Sequence, residues 1–453
     1  MLGDIEATNS QARQAGQPPE TPTKALVLAS ADSHVKWCYV FARRYGGDSA
    51  EIEIYAPTDA GHDLNEEILR NMGVDAAYTS APLEDFPDHC DLSRVDVIFT
   101  ILTPPLFASM HRRLARWLED ERPSRRPIIV TGFPGISLHL VMGITTRQGA
   151  DVICVNTKRD LDESRRISRM MGYDPSQICS TGYIFAPPRL SRSFRSVPNS
   201  GRRIVFSTQP NWPSKREERK YILRKLVEAA YRYPDDRFVI KLRLPPGAKT
   251  VHPEPHHYEK IFPELRVDRP ENLSFAYGPM IEALETADLH ITVASTAAVE
   301  SISMGVPTAI ISDFGPHEGY GVFHFIGSGM LRTIDQAMAG DVGAPEKEWM
   351  IENGFSETDT IESAFSLIDR ARAQQEKLAA PLPLRSISYT PEQFPYDFTP
   401  KESPKALPKE SPRKPETRAG LKNLARQLLP PVLLPAARRI YRKMTFVRKL
   451  RLL

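Results

Sequence analysis

Long apolar runs are what this sequence most clearly lacks. No stretch approaches the roughly 18–20 consecutive apolar residues that a membrane-spanning helix needs. The opening MLGDIEATNSQARQAGQPPETPTK also has no apolar block of the kind a signal peptide carries. Both absences predict a cytoplasmic location. Cysteine is scarce: the 453 residues contain Cys38, Cys90, Cys154 and Cys179 without a CxxC spacing. That spacing indicates neither a disulfide framework nor a zinc site, and leaves buried reduced thiols as the expectation. The GxGxxG and Walker A fingerprints are missing, and no DxD pair stands at a predicted strand end. No metal and no cofactor are therefore expected. Charge of one sign is missing too, but the formal net charge of +3 conceals a split. Residues 401–453 hold fifteen Lys or Arg against three Glu, which leaves 44 basic against 53 acidic residues in the first 400. Such a split describes a basic tail on a mildly acidic globular body.

What is present is enough apolar material, 41% of 453 residues, for two or three separate cores. Residues 1–23 are polar and read as a disordered leader. From Lys24 short apolar runs (ALVLAS, EIEIYA, VDVIFTIL, PIIVTGF, DVICVN) alternate with segments of helical period, which predicts a parallel α/β lobe over 24–190. A Pro-, Ser- and Arg-rich stretch gives a linker at 191–202. The pattern then restarts with RIVFSTQ, RFVIKLR, LSFAYG, LHITVA and TAIIS, and a second lobe is expected over 203–380, closed by a helix around 361–378. Residues 381–420 are expected to form a Pro-rich linker, and 421–453 a basic segment rich in Leu. Two such lobes imply a cleft, with ligands outside the carboxyl ends of the strands.

The most informative segment is ADLHITVASTAAVESISMGVPTAIISDFG, from Ala287 to Gly315. A strand ends near Ala294 and a helix follows. Ser295 and Thr296 occupy the turn, where two hydroxyls and free backbone N–H groups can face an anion. They can equally cap the helix. A capping box needs its acid three residues after the cap, and Val299 stands at that distance from Thr296, so Glu300 is left over to accept hydrogen bonds from ligand hydroxyls. Lys241 and Arg243 end RFVIKLR two residues apart, on one side of the strand, and could share a phosphate or form a solvated strand end. His252, in the loop beyond, is a ligand contact or a surface histidine. In the first lobe ADSHVKW puts Asp32, Ser33 and Lys36 at the cleft rim. Asp32 is a candidate general base or an N-cap, and His34 is the alternative base. Gly132 and Gly135 of TGFPGIS either admit a ligand close to the backbone or make a tight turn. Gln209 of QPNWP is a candidate beneath the ligand, and His317 and Glu318 of DFGPHEGYG are candidate contacts from a glycine-rich loop.

Taken together these segments resemble GT-B glycosyltransferases. The resemblance lies in the strand, Ser/Thr turn and Glu-bearing helix followed by Gly305-Val306-Pro307. Over about residues 24–375 the chain is also similar to a bacterial family grouped with the glycosyltransferases, through DSxxKW (Asp32 to Trp37), QPxxP (Gln209 to Pro213), Lys241-Leu242-Arg243 with His252, and STAAxE (Ser295 to Glu300). His252-Pro253 resembles, with an inserted loop, a His-Pro that contacts donor phosphate in sialyl- and polyol-phosphate-transferring members of the fold. The resemblance implies two Rossmann-like lobes facing a cleft, a nucleotide-sugar donor on the second, and a cell-surface glycan or lipid-linked acceptor on the first. Helix termini and basic side chains can neutralise the leaving phosphate, so no metal is required. An epimerase acting on nucleotide sugars and a catalytically inert nucleotide-binding scaffold are the rival readings. Residues 421–453 suit an anionic membrane surface, which would make the protein peripheral on the inner face of the cell membrane. A solvated tail is the plainer reading, and the Leu and Val content disfavours nucleic acid.

Overall fold

A computed structural model describes residues 22–60, 64–137, 139–184, 193–247, 254–356 and 360–387. Residues 1–21 of the expected leader and the basic tail lie outside these residues, whereas Thr23, at the leader's expected end, is buried and its carbonyl accepts from the Glu51 N–H at 3.0 Å, so order begins before Lys24. All described residues belong to the first of two compact units, Met1–Tyr396.

The first sheet contains β1 (Lys24–Ala29), β2 (Glu51–Pro57), β3 (Ala77–Ala81), β4 (Val97–Ile101), β5 (Ile128–Gly132), β6 (Val152–Val155) and β7 (Ile178–Ser180). Between them run α1 (Asp32–Gly46), α2 (Glu66–Asn71), α3 (Phe86–His89), α4 (Pro104–Glu121), α5 (Leu140–Thr145) and α6 (Lys158–Met170). The strands lie in the order β3-β2-β1-β4-β5-β6-β7, and every pairing is parallel. Helices cover both faces, so the central strands β4, β5 and β6 are buried at every position, which is why their sequences do not alternate. Val27, Phe99 and Val130 point into the core beneath α1, while Leu26, Ile98 and Ile129 point into the core beneath α4.

The second sheet contains β8 (Arg203–Ser207), β9 (Arg237–Lys241), β10 (Leu273–Ala276), β11 (Leu289–Thr292), β12 (Thr308–Ile311) and β13 (Leu331–Arg332), in the order β10-β9-β8-β11-β12-β13, again all parallel. Its helices are α7 (Arg216–Arg232), α8 (Tyr258–Ile261), α9 (Met280–Glu285), α10 (Ala297–Ser303), α11 (Ile334–Met338) and α12 (Lys347–Glu352). The expected α/β class, with two Rossmann-like lobes, is the observed one. The four cysteines are free and buried. Among the described residues no helix is long and apolar enough to cross a membrane.

Two expectations change at the lobe boundaries. The helix near 361–378, expected to close the second lobe, is α13 (Glu362–Glu376), and it packs on β5, β6 and β7 of the first sheet. Its Phe365 and Ile368 enter the core around Phe41 and Tyr45 of α1, and the Tyr45 hydroxyl donates to Asp369 at 2.6 Å. Aromatic surface on α1 needed a cover that α1 and the sheet alone do not provide. The start of the expected Pro-rich linker is also packed. Arg126, buried, donates through Nε and Nη2 to the Leu382 and Pro383 carbonyls at 2.6 and 3.0 Å, while Nη1 and Nη2 hold the Asp151 carboxylate at 2.7 and 2.8 Å. The end of the 191–202 linker is tied to the second lobe, where Arg202 and Asp236 make a second buried pair.

Candidate functional site

A parallel sheet delivers all its strand ends to one side, and a crevice opens where the strand order reverses. In the first sheet that point lies between β1 and β4, and in the second between β8 and β11. The residues singled out in the sequence fall around these two points: Asp32 to Lys36 follow β1, Gln209 follows β8, and Ser295 to Glu300 follow β11.

At the second crevice the Gln209 side-chain oxygen accepts from the Ala294 N–H at 2.8 Å, bridging the two strand ends. The QPNWP loop is fixed from beneath by Arg219 of α7, a fully buried arginine that the sequence reading did not single out. Its guanidinium donates to the carbonyls of Gln209, Pro210, Pro213 and His256 and to the Glu254 carboxylate, at 2.5 to 2.9 Å, and stacks on Tyr258. All five of its donors are thereby engaged. Its signal was present: Arg219 sits three and four residues before Ile222 and Leu223, on the apolar side of α7.

Ser295 accepts from the Ala297 N–H at 3.2 Å, so its hydroxyl does the capping that was weighed against ligand binding, while Thr296 makes no side-chain cap. Thr296 instead lies over Gly135 of the first lobe, where an added Cβ would come within 2.5 Å of the threonine hydroxyl. Gly132 has a different partner from the ligand expected for it. Its missing side chain is replaced by the Trp37 ring, 2.5 Å from where a Cβ would stand. In this structure both glycines admit protein side chains.

Glu300 is half-buried in α10 and accepts no hydrogen bond from any described residue. Burial pushes its carboxyl above the usual glutamate value, and the Lys36 ammonium across the cleft offsets this only in part. Lys241 and Arg243 do not share one target. The Lys241 ammonium is buried and donates to the carbonyls of Leu242 and Gly278 at 3.0 and 2.6 Å, and burial lowers its pKa. Arg243, beyond the strand end, reaches the first lobe and donates to Asp32 at 2.5 Å. The difference arises because Lys241 is the last residue of β9 and its chain folds back over the strand ends, whereas Arg243 stands in the loop.

Asp32 opens α1 as its first residue, after the N-cap Ala31. Burial raises its carboxyl, but Arg243, the Ser33 N–H and His34 outweigh that and hold it below the ordinary aspartate value. His34 lies one turn from Ser30, whose hydroxyl is 3.1 Å from its Nδ1. Ser33 is half-buried and Lys36 exposed. His317 is exposed, packs on Tyr320 and accepts from the Gly319 N–H at 3.2 Å, so its contacts are within its own loop. His252 and the side chain of Glu318 lie outside the described residues. Among the described residues no group of three or more His, Cys, Asp or Glu is placed to hold a metal ion.

The family profile that matches residues 25–368 is described as "Putative glycosyltransferase (DUF6716)". The chain belongs to this family. The match spans both lobes and α1 to the start of α13, so every described site residue lies inside it. No curated protein matches the chain. Among solved structures, this DUF6716 member is similar to a putative UDP-N-acetylglucosamine 2-epimerase from Listeria monocytogenes, at 13% identity over 77% of this chain and 91% of that one, with a TM-score of 0.45. It is also similar to a UDP-glucosyltransferase from Polygonum tinctorium capable of glucosylating indoxyl, at 13% identity over 79% of this chain and 100% of that one, with a TM-score of 0.45.

The raised Glu300 carboxyl has a stability consequence. Folded Glu300 keeps its proton to higher pH than an unfolded glutamate, so the folded protein loses stability as pH rises from about 4.3, the unfolded value, through the folded one. Glu300→Gln is therefore expected to raise the melting temperature near pH 7, with the gain vanishing as pH falls to about 4. Melts of both chains across that range check it, and a lower melting temperature for Glu300→Gln at pH 7 would contradict it.

Proposed function

We propose that the protein is a glycosyltransferase that binds a nucleotide-sugar donor at the β8/β11 crevice and a glycan or lipid-linked acceptor on the first lobe. The observation that carries this reading is Glu300, a half-buried carboxyl group with no hydrogen-bond partner among the described residues, one turn into the helix that follows the Ser295-Thr296 turn. Burying such a group costs free energy unless a ligand supplies donors, and ribose or sugar hydroxyls do so. Arg243 is the mobile-length cation at the same mouth and would meet negative charge as it grows on the leaving phosphate. No step in this scheme calls for a metal ion.

Taking the acceptor proton falls to Asp32 or His34, both at the first residues of α1. The depressed carboxyl of Asp32 makes it a weak base while Arg243 holds it, which leaves the His34 imidazole, two residues on, as the other candidate. The basic, Leu- and Val-bearing residues 421–453 would hold the enzyme at an anionic membrane surface on the cytoplasmic side, next to a lipid-linked acceptor.

A panel of UDP, GDP, CDP, CMP and TDP tests the donor site by thermal shift. One nucleotide is expected to stabilise the protein, by about 2.7 kcal/mol at a hundredfold excess over Kd, and to do so much less in Glu300→Ala. Equal stabilisation of both chains, or none by any nucleotide, would remove Glu300 from the site. For the tail, full-length protein is expected to sediment with vesicles containing anionic lipid and not with neutral ones. Replacing Arg438, Arg439, Arg442 and Lys443 by Gln should abolish this, and unchanged binding would refute the membrane role.

A further inference from the structure

Asp32 and Lys36 are four residues apart on α1 and share one face of the helix. Each has an electrostatic partner on the second lobe, Asp32 at hydrogen-bond distance and Lys36 from farther off. The Asp32 carboxylate accepts from the Arg243 guanidinium at 2.5 Å, and the Lys36 ammonium lowers the carboxyl of Glu300. One turn of the first lobe thus presents a negative and then a positive group to the very residues to which the donor reading gives phosphate and hydroxyl partners. The Asp32 and Arg243 side chains are each about one-third exposed, 33% and 34%, so a solute can reach the pair. A guanidinium offers a planar fork that a diphosphate fills with several oxygens, whereas Asp32 meets it through a single oxygen.

We propose that Asp32 and a donor phosphate compete for Arg243, so that nucleotide binding and release of the Asp32 carboxylate into the cleft are a single exchange. The inference rests on the donor-site reading and adds an order of events to it. The carboxylate beside the acceptor is withheld until the donor has taken its cation. Arg243 is then a donor ligand and a switch on Asp32 at once, and Lys36 is left facing the newly bound negative charge.

A double-mutant cycle on the full-length protein tests this, with UDP, GDP, CDP and TDP as probes and calorimetric Kd as the readout. Asp32→Asn is expected to bind the preferred nucleotide about two- to fivefold more tightly than the natural sequence, the range that a partly exposed ion pair supports. In Arg243→Met, which binds more weakly, adding Asp32→Asn should give no further gain. Asp32→Ser, which keeps a side-chain oxygen at the start of α1, serves where Asn disturbs the helix. Unchanged or weaker binding in both Asp32 variants overturns the proposal. So does an equal gain with and without Arg243, which would be a general charge effect. If the natural chain binds a nucleotide and the cycle is additive, the exchange alone fails. If neither the natural chain nor any variant binds one, the donor site fails and the exchange with it.

Discussion

Parallel pairing is the constraint from which the rest of the structure follows. A parallel strand cannot be joined to its neighbour by a hairpin, so each strand is followed by a crossover, and each crossover places its loop at the same end of the sheet. Two such sheets therefore gather ten or more loops into one region without any loop being special by itself. The reversals of strand order, between β1 and β4 and between β8 and β11, then separate neighbouring crossovers and open the crevices where Asp32, Gln209 and Glu300 stand. The last described helix links the two sheets. By crossing from the second lobe back to the first, α13 ties the chain after β13 to the aromatic surface of α1, the same helix whose first turn carries Asp32.

Within that frame the cleft is governed by how charge is shared. Buried ion pairs at the opposite ends of the sheets, Arg126 with Asp151 and Arg202 with Asp236, have their hydrogen bonds filled by backbone carbonyls, and they serve as anchors. Arg219 is of the same kind, with all five donors occupied. Lys241 joins them, since its ammonium ends on two carbonyls. Arg243, Asp32, Lys36 and Glu300 differ because they act on one another from opposite lobes, Arg243 and Asp32 in direct contact, and remain partly open to solvent. Anchors of the first kind hold loops in place, while groups of the second kind can change partners at little cost.

Much of this was legible in the residues. Unbroken apolar runs such as VIFTI and IIVTG mark strands covered on both faces, and they locate the two lobes. The site was legible where a motif follows such a run directly, as Ser295 to Glu300 follow LHIT. The edge strands β3, β7 and β13 escaped because AYTSA, ICS and LR are short or polar, as sheet edges usually are. The destination of α13 escaped because its apolar face fits either lobe equally well by period, and only the aromatic surface of α1 decides between them. Lys241 and Arg243 share a spacing, but spacing on a strand fixes the side of departure, not the end point of a long flexible chain. Gly132 and Gly135 announced close approach without naming what approaches, and Trp37 and Thr296 supply the answer.

The central claim, that a nucleotide sits at the β8/β11 crevice, is met most directly by amide hydrogen exchange of the full-length protein with and without the nucleotide it binds. The account predicts slowed exchange concentrated at 208–210 and 294–300, with the base of the first sheet around Arg126 and Asp151 unchanged. Slowed exchange confined to the first lobe, or spread evenly over both sheets, would contradict it.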